Sequence, residues 1–109
     1  MKQYLNESQT AKLIELGFEK PKIAAPALKW VDGEPTFEPQ YTIGELIEML
    51  PKHIFPDGRC SDLQIYANQY LWVVKYAALL YGNYYLFRSE ELIDALYDMV
   101  IKLKEEGVI

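Results

Sequence analysis

Residues 62–88 read DLQIYANQYLWVVKYAALLYGNYYLFR. Apolar and polar side chains alternate along this stretch with a period of two, the spacing of a half-buried strand rather than a helix. With Asn68-Gln69 as a two-residue turn, Ala67 faces Tyr70, Ile65 faces Trp72 and Leu63 faces Val74. Leu63, Ile65, Ala67, Tyr70, Trp72, Val74 and Tyr76 then share one side of the ribbon. Gln64, Tyr66, Leu71, Val73 and Lys75 share the other, and the glutamine and lysine mark that side as the wetter one. Gly82-Asn83 suits a type II′ turn leading into a third strand over residues 84–87, which places Tyr85 and Phe87 with the core set. A slip of one residue would exchange the two faces throughout.

Outside this stretch the period returns to that of helices. Ser89 is read as an N-cap followed by Glu90 and Glu91, whose charges suit the positive end of the helix dipole. Leu92, Leu96, Met99, Val100 and Leu103 form the stripe of a long C-terminal helix, widened by Ile93 and closed at Gly107. Asp98 and Lys102 stand at the i, i+4 spacing of a favourable ion pair. Thr42-Ile43-Gly44-Glu45 is a capping box, and Tyr41 with Leu46 has the spacing of a hydrophobic staple. The helix it starts carries Ile43, Leu46, Ile47 and Leu50 on one face and stops before Pro51. A first helix over residues 7–16 is capped by Asn6 with Gln9 and ends at Gly17, where Phe18 folds back on Leu13. Residues 20–40 hold four prolines, so a strand at residues 27–31, turned by Asp32-Gly33, is expected only at an edge. Residues 51–61 read as a loop turned by Pro56-Asp57-Gly58.

The predicted fold class is therefore α+β: an antiparallel meander of three to four strands packed with a long C-terminal helix and two shorter helices, in a single domain over residues 1–109. A chain of 109 residues buries enough surface to fold without metal or disulfide. The net charge of −5 argues against nucleic acid, which requires clustered lysine and arginine. Lys20, Lys22 and Lys29, the nearest approach to such a cluster, read as solvated surface. Cys60 is the only cysteine, which rules out an internal disulfide and a thiolate metal cage. With no apolar leader and no uninterrupted apolar span, the expected location is the cytoplasm, away from membranes.

Chemistry-bearing residues are sparse. The loop around His53, Asp57, Cys60 and Asp62 gathers the only histidine and the only cysteine, and an imidazole beside a thiol would lower its pKa. No third orienting group and no oxyanion donor follow from the spacing, so a polar connection is the preferred reading. Glu91, Asp94 and Asp98 read as the solvated face of the last helix rather than a cation site. No catalytic, cofactor, metal or small-molecule site is assigned. The second sheet face, with Tyr66, Leu71, Val73, Leu79, Tyr81, Tyr84 and Leu86, is more informative. Left uncovered, it is an apolar patch rimmed by Gln64, Lys75 and Arg88, of the kind proteins use to meet one another. Covered by the N-terminal helix and the proline-rich segment, it is simply core.

The run Tyr41-Thr42-Ile43-Gly44-Glu45-Leu46-Ile47 through Pro51 and the run Glu91-Leu92-Ile93-Asp94-Ala95-Leu96-Tyr97-Asp98-Met99-Val100 flank the aromatic hairpin. Together they resemble small proteins without assigned activity from gut Bacteroidetes and the phages or mobile elements these carry. The resemblance implies an intracellular protein and transfers no functional residue. The expected function is a non-enzymatic protein-interaction module acting through the aromatic sheet face, with a protein partner or a second copy in a homodimer. Two alternatives stand beside it. One is a small enzyme using His53 and Cys60, and the other is an acidic decoy of a nucleic-acid-binding protein.

Overall fold

The computed structural model describes residues 1–22, 24–78 and 82–109. Helix α1 (Glu7–Glu15) is followed by strands β1 (Ala24–Val31) and β2 (Glu34–Pro39), helix α2 (Ile43–Met49) and the short strand β3 (His53–Ile54). A 3-10 turn (Pro56–Gly58) leads into β4 (Ser61–Ala67), β5 (Trp72–Ala78), β6 (Gly82–Ser89) and helix α3 (Leu92–Glu105). The strands β3-β4-β5-β6 form one antiparallel sheet in that order, while among the described residues β1 and β2 pair only with each other. This is the α+β meander with a long C-terminal helix that the periodicity predicts. Among the described residues no helix is long and apolar enough to cross a membrane.

Local chemistry accounts for the helix ends. The Asn6 side chain accepts from the Gln9 backbone N–H while the Gln9 side chain accepts from the Asn6 N–H, and Thr42 and Glu45 repeat the arrangement in α2. At the end of α1 the Gly17 N–H donates to Ile14 and the Phe18 N–H to Leu13, with Gly17 at φ +97° where a side chain would be strained. Thr42→Ala removes one box acceptor and is expected to lower stability by about 1 kcal/mol. Thr42→Ser should lose far less, and urea unfolding of both variants measures the difference.

Several predicted boundaries move, each for a physical reason. The last helix starts at Leu92 rather than Glu90, because the Ser89 hydroxyl accepts the Glu91 N–H and holds that residue outside the helix. Ile47, assigned to the buried face of α2, is 38% exposed, and the stripe is made by Ile43, Leu46, Met49 and Leu50 instead. Lys102 pairs with Glu106 at 2.9 Å, one turn further along, rather than with Asp98. Residues 51–61, read as loop, contain β3, which forms because His53 and Ile54 pair with Asp62 and Ser61 of β4. The hairpin β1–β2 turns on Asp32 and Gly33, both at positive φ (52° and 79°), as a two-residue primed turn requires. Pro35 and Pro39 are admitted in β2 because it is an edge strand with a single neighbour.

The register of the central hairpin differs by two residues from the predicted one. Ala67 faces Trp72, Ile65 faces Val74 and Leu63 faces Tyr76. The cause is Asn68: its side-chain oxygen accepts the backbone N–H groups of Tyr70 and Leu71, and its own N–H donates to the Leu71 carbonyl. This side-chain turn expands the connection to residues 68–71. Tyr70, predicted in the core, is consequently 79% exposed in the loop, and Ala67 is exposed as well. A shift of two preserves side-chain parity, so the faces keep their identity. Val74 and Tyr76 are fully buried, and Leu63, Ile65, Trp72, Tyr85 and Phe87 pack against the same core. Gly82 and Asn83, read as a turn, are paired residues of β6 opposite Ala78 and Ala77.

Helix α3 supplies the centre of the molecule. Leu92, Ile93, Ala95, Leu96, Met99, Val100 and Leu103 are all buried, an arc wide enough to meet β5 and β6 on one flank and α2 on the other. Leu5 and Leu13 from the N-terminal segment complete that core together with Tyr41, Leu46, Leu50 and Ile54. The Tyr41 hydroxyl donates to the Glu19 carbonyl and the Lys22 N–H to the Glu45 carboxylate, which ties the chain before β1 to the start of α2. Lys2 donates its backbone N–H to Glu91 (2.7 Å) and its ammonium to Asp94 (3.0 Å), and the Gln9 amide reaches the same Asp94 oxygen. Two of the three carboxylates read as a solvated helix face thus anchor the N-terminus. Burial alone would raise the Asp94 carboxyl, but the hydrogen bonds from Gln9 and Lys2 and the lysine charge outweigh it and hold it below its ordinary value.

Candidate functional site

Strand pairing brings the loop residues together. His53 and Asp62 are direct partners in the β3–β4 ladder, and Cys60 sits two residues before Asp62 on the approach to β4. The His53 Nδ1 lies 2.7 Å from the Asp62 Oδ1, and since a carboxylate only accepts, the imidazole donates. The Cys60 thiol donates to the same oxygen at 3.7 Å. All three side chains are exposed, and their ligand atoms lie within 4.8 Å of one another. Asp57, the fourth residue of the predicted loop group, belongs to the 3-10 turn Pro56–Gly58.

This arrangement does not make a nucleophile. Partial desolvation and then the neighbouring Asp62 charge push the Cys60 thiol up from its ordinary value, where thiolate chemistry needs it lowered. The thiol also donates to the carboxylate rather than to the imidazole, and a carboxylate is the weaker of these two bases.

The second sheet face is laid out in rows by the register. Gln64, Lys75 and Leu86 form one row, and Tyr66, Val73 and Arg88 the next. Tyr66 is 43% exposed and Leu86 half-buried, whereas Val73 is only 2% exposed. Val73 occupies the middle of its row, with Leu71 and Lys75 on either side along the strand, and the Lys75 ammonium lies 5.3 Å from the Tyr66 ring centroid. None of Gln64, Tyr66, Lys75, Leu86 or Arg88 joins the core cluster, which holds Leu13 of α1 and Leu46 of α2 on the helix side of the sheet. Leu71 lies in the connecting loop at the end of the face. Leu79 and Tyr81 fall outside the described residues.

Tyr84 leaves this face. The β5–β6 register shifts between Tyr76 and Ala77, so β6 carries one extra residue there, and such a bulge re-aims a side chain. The Tyr84 ring stands edge-on to Tyr85 at 4.6 Å and borders a hollow with Phe55, Pro56, Glu106 and Val108. Parity reasoning has no access to a bulge, which the sequence does not announce.

The structure also exposes a region that sequence reasoning missed. β6 is an edge strand of eight residues, and among the described residues no strand pairs with its outer side. The opposite edge is partly shielded, because β3 pairs with the beginning of β4. Beneath the β6 edge, Phe87 borders a shallow hollow with Tyr97, Asp98, Ile101, Lys102 and Glu105 of α3. Tyr97 and Ile101 lie four apart on one flank of that helix, a spacing visible in the sequence but indistinguishable there from a widened core stripe.

No family model matches this chain, and neither a curated protein nor a solved structure matches it.

Proposed function

We propose that the protein is a non-catalytic protein-interaction module whose first partner is a second copy of itself, joined β6 to β6. The observation that carries this reading is the eight-residue outer edge of β6, which holds no carboxylate in a chain of 16 acidic residues. Unpaired edges of this length invite another strand, and the usual guards of proline or inward charge are missing from GNYYLFRS. Two acidic copies would ordinarily repel one another, and this is a contact line along which they need not.

A two-fold axis perpendicular to the sheet keeps each face on its own side, so paired residues must have the same parity and the axis must pass through a residue pair. The bulge beside Tyr84 disfavours a centre at Tyr85, and a centre at Leu86 overlaps more of β6 than one at Phe87, so Leu86 falls opposite Leu86 of the partner copy. Phe87 then meets Tyr85 across the strands on the helix side, a favourable aromatic pair. Arg88 then falls opposite backbone position 84, whose ring the bulge has turned off this face, rather than opposite another arginine. The α3 flanks bearing Tyr97 and Ile101 approach one another beneath the joined sheets, adding apolar contact. The open faces with Tyr66, Lys75 and Leu86 become one continuous surface of eight strands. The cytoplasm suits this reading, since a single exposed thiol, Cys60, stays reduced there.

A charge exchange tests the pairing. Leu86→Lys and Leu86→Glu each place like charges opposite one another, and each variant is expected to sediment as a monomer at micromolar concentration where the parent chain is a dimer. An equimolar mixture should restore the dimer as a mixed species. A monomeric parent chain, or variants that dimerise as well as the parent, would overturn the proposal.

A further inference from the structure

We propose that His53, Cys60 and Asp62 form a zinc-class metal site, with His53 Nδ1, Cys60 Sγ and Asp62 Oδ1 as three ligands and a fourth position open to water. The inference is independent of the dimer, since β3 and the start of β4 lie at the edge of the sheet away from β6.

Three observations support it. The three residues supply sulfur, nitrogen and oxygen, the donor set that borderline-soft zinc accepts and that hard cations such as calcium do not. They arrive from two antiparallel strands, so the donors converge from separate backbone directions. Their spacing is already compact: Nδ1 to Oδ1 is 2.7 Å, Sγ to Oδ1 is 3.7 Å, and no pair of ligand atoms exceeds 4.8 Å. Zinc bonds of about 2.0 Å to nitrogen and oxygen and about 2.3 Å to sulfur place tetrahedral donors roughly 3.3–3.6 Å apart. Against that span the widest pair, at up to 4.8 Å, must close by about 1.3 Å and the Nδ1–Oδ1 pair must open by about 0.6 Å, movements within reach of side-chain rotation at three exposed residues.

The proton balance is simple. The metal takes the place of the proton shared between His53 and Asp62, and the imidazole moves to its Nε2–H tautomer. The thiol proton leaves to solvent. A divalent ion with one thiolate and one carboxylate is locally neutral, which suits an exposed site. Since β3 is a two-residue strand, the ion would also cross-link it to β4 at one of their two paired positions, His53 opposite Asp62. The sequence gathers these three residues in one stretch, and the β3–β4 ladder is what sets His53 opposite Asp62.

Cobalt(II) is the probe. Titration of the full chain, kept reduced, is expected to give one cobalt per chain with a near-ultraviolet thiolate-to-metal charge-transfer band that zinc displaces. Cys60→Ser should abolish the band, and His53→Ala and Asp62→Asn should each weaken binding by more than about tenfold. Glu48→Gln, an exposed carboxylate of α2 outside the three-residue group, should leave both unchanged. Circular dichroism of the variants separates ligand loss from unfolding. Cobalt binding without the thiolate band, affinity insensitive to His53→Ala, or one metal shared by two chains would each overturn the proposal.

Discussion

Leu96→Ala is expected to lower the free energy of unfolding by about 2–5 kcal/mol, the range for truncating a fully buried leucine. Leu96 has no exposed surface and lies on the arc of α3 that meets the rest of the core. Its loss removes contacts and leaves a cavity that the surrounding elements cannot readily close, because they belong to different layers. A domain of this size has a total stability of roughly 5–15 kcal/mol, so one truncation consumes a large share of it. Urea unfolding should show a lower midpoint with an unchanged slope. A loss below about 1 kcal/mol would mean that α3 is not packed between sheet and helix as described.

Tyr76→Phe should show its largest effect as a change in the alkaline limb of stability. The Tyr76 hydroxyl donates to the Pro51 carbonyl at 2.6 Å from a fully buried ring. Without that donor the carbonyl is left unsatisfied, at a cost of about 1–3 kcal/mol at neutral pH. Burial also pushes the Tyr76 phenol up to about 12, against about 10 in the unfolded chain. The folded state therefore keeps its proton over a range where the unfolded state has released it. The corresponding stability is complete below pH about 10 and is lost as pH climbs toward about 12, a span on the order of 2 to 3 kcal/mol. The variant lacks this contribution to the decline, so its stability should fall less steeply than the parent's. Burial raises Tyr41 and Tyr97 as well, and their share persists in both proteins. Parallel curves from urea titrations between about pH 8 and pH 11 would remove Tyr76 from this account.

What could be read from the residues was what local chemistry decides. Capping boxes at Asn6 and Thr42 and the glycine stop at Gly17 depend on a few neighbouring atoms, and they appear where their residues predict. The two faces of the sheet kept their identity through a register error, because Asn68 lengthened the turn by two residues and two is the pleat's own period. Features made by long-range pairing were not legible. β3 is two residues long and exists through Asp62 and Ser61, so the meeting of His53 with Asp62 was hidden with it. The bulge that turns Tyr84 toward Phe55 leaves no composition signature, and the N-terminal anchor joins Lys2 to residues about ninety positions away.

The stitching of Glu19 and Lys22 to Tyr41 and Glu45 closes the polypeptide at the foot of the β1–β2 hairpin. Residues 24–39 thereby become a detour whose entrance and exit are pinned to the same helix start. Its length and composition can drift with little leverage on α3 or the four-stranded sheet. In a lineage under selection this is where insertions and deletions would be best tolerated, and where a new binding loop could be grown without rebuilding the fold.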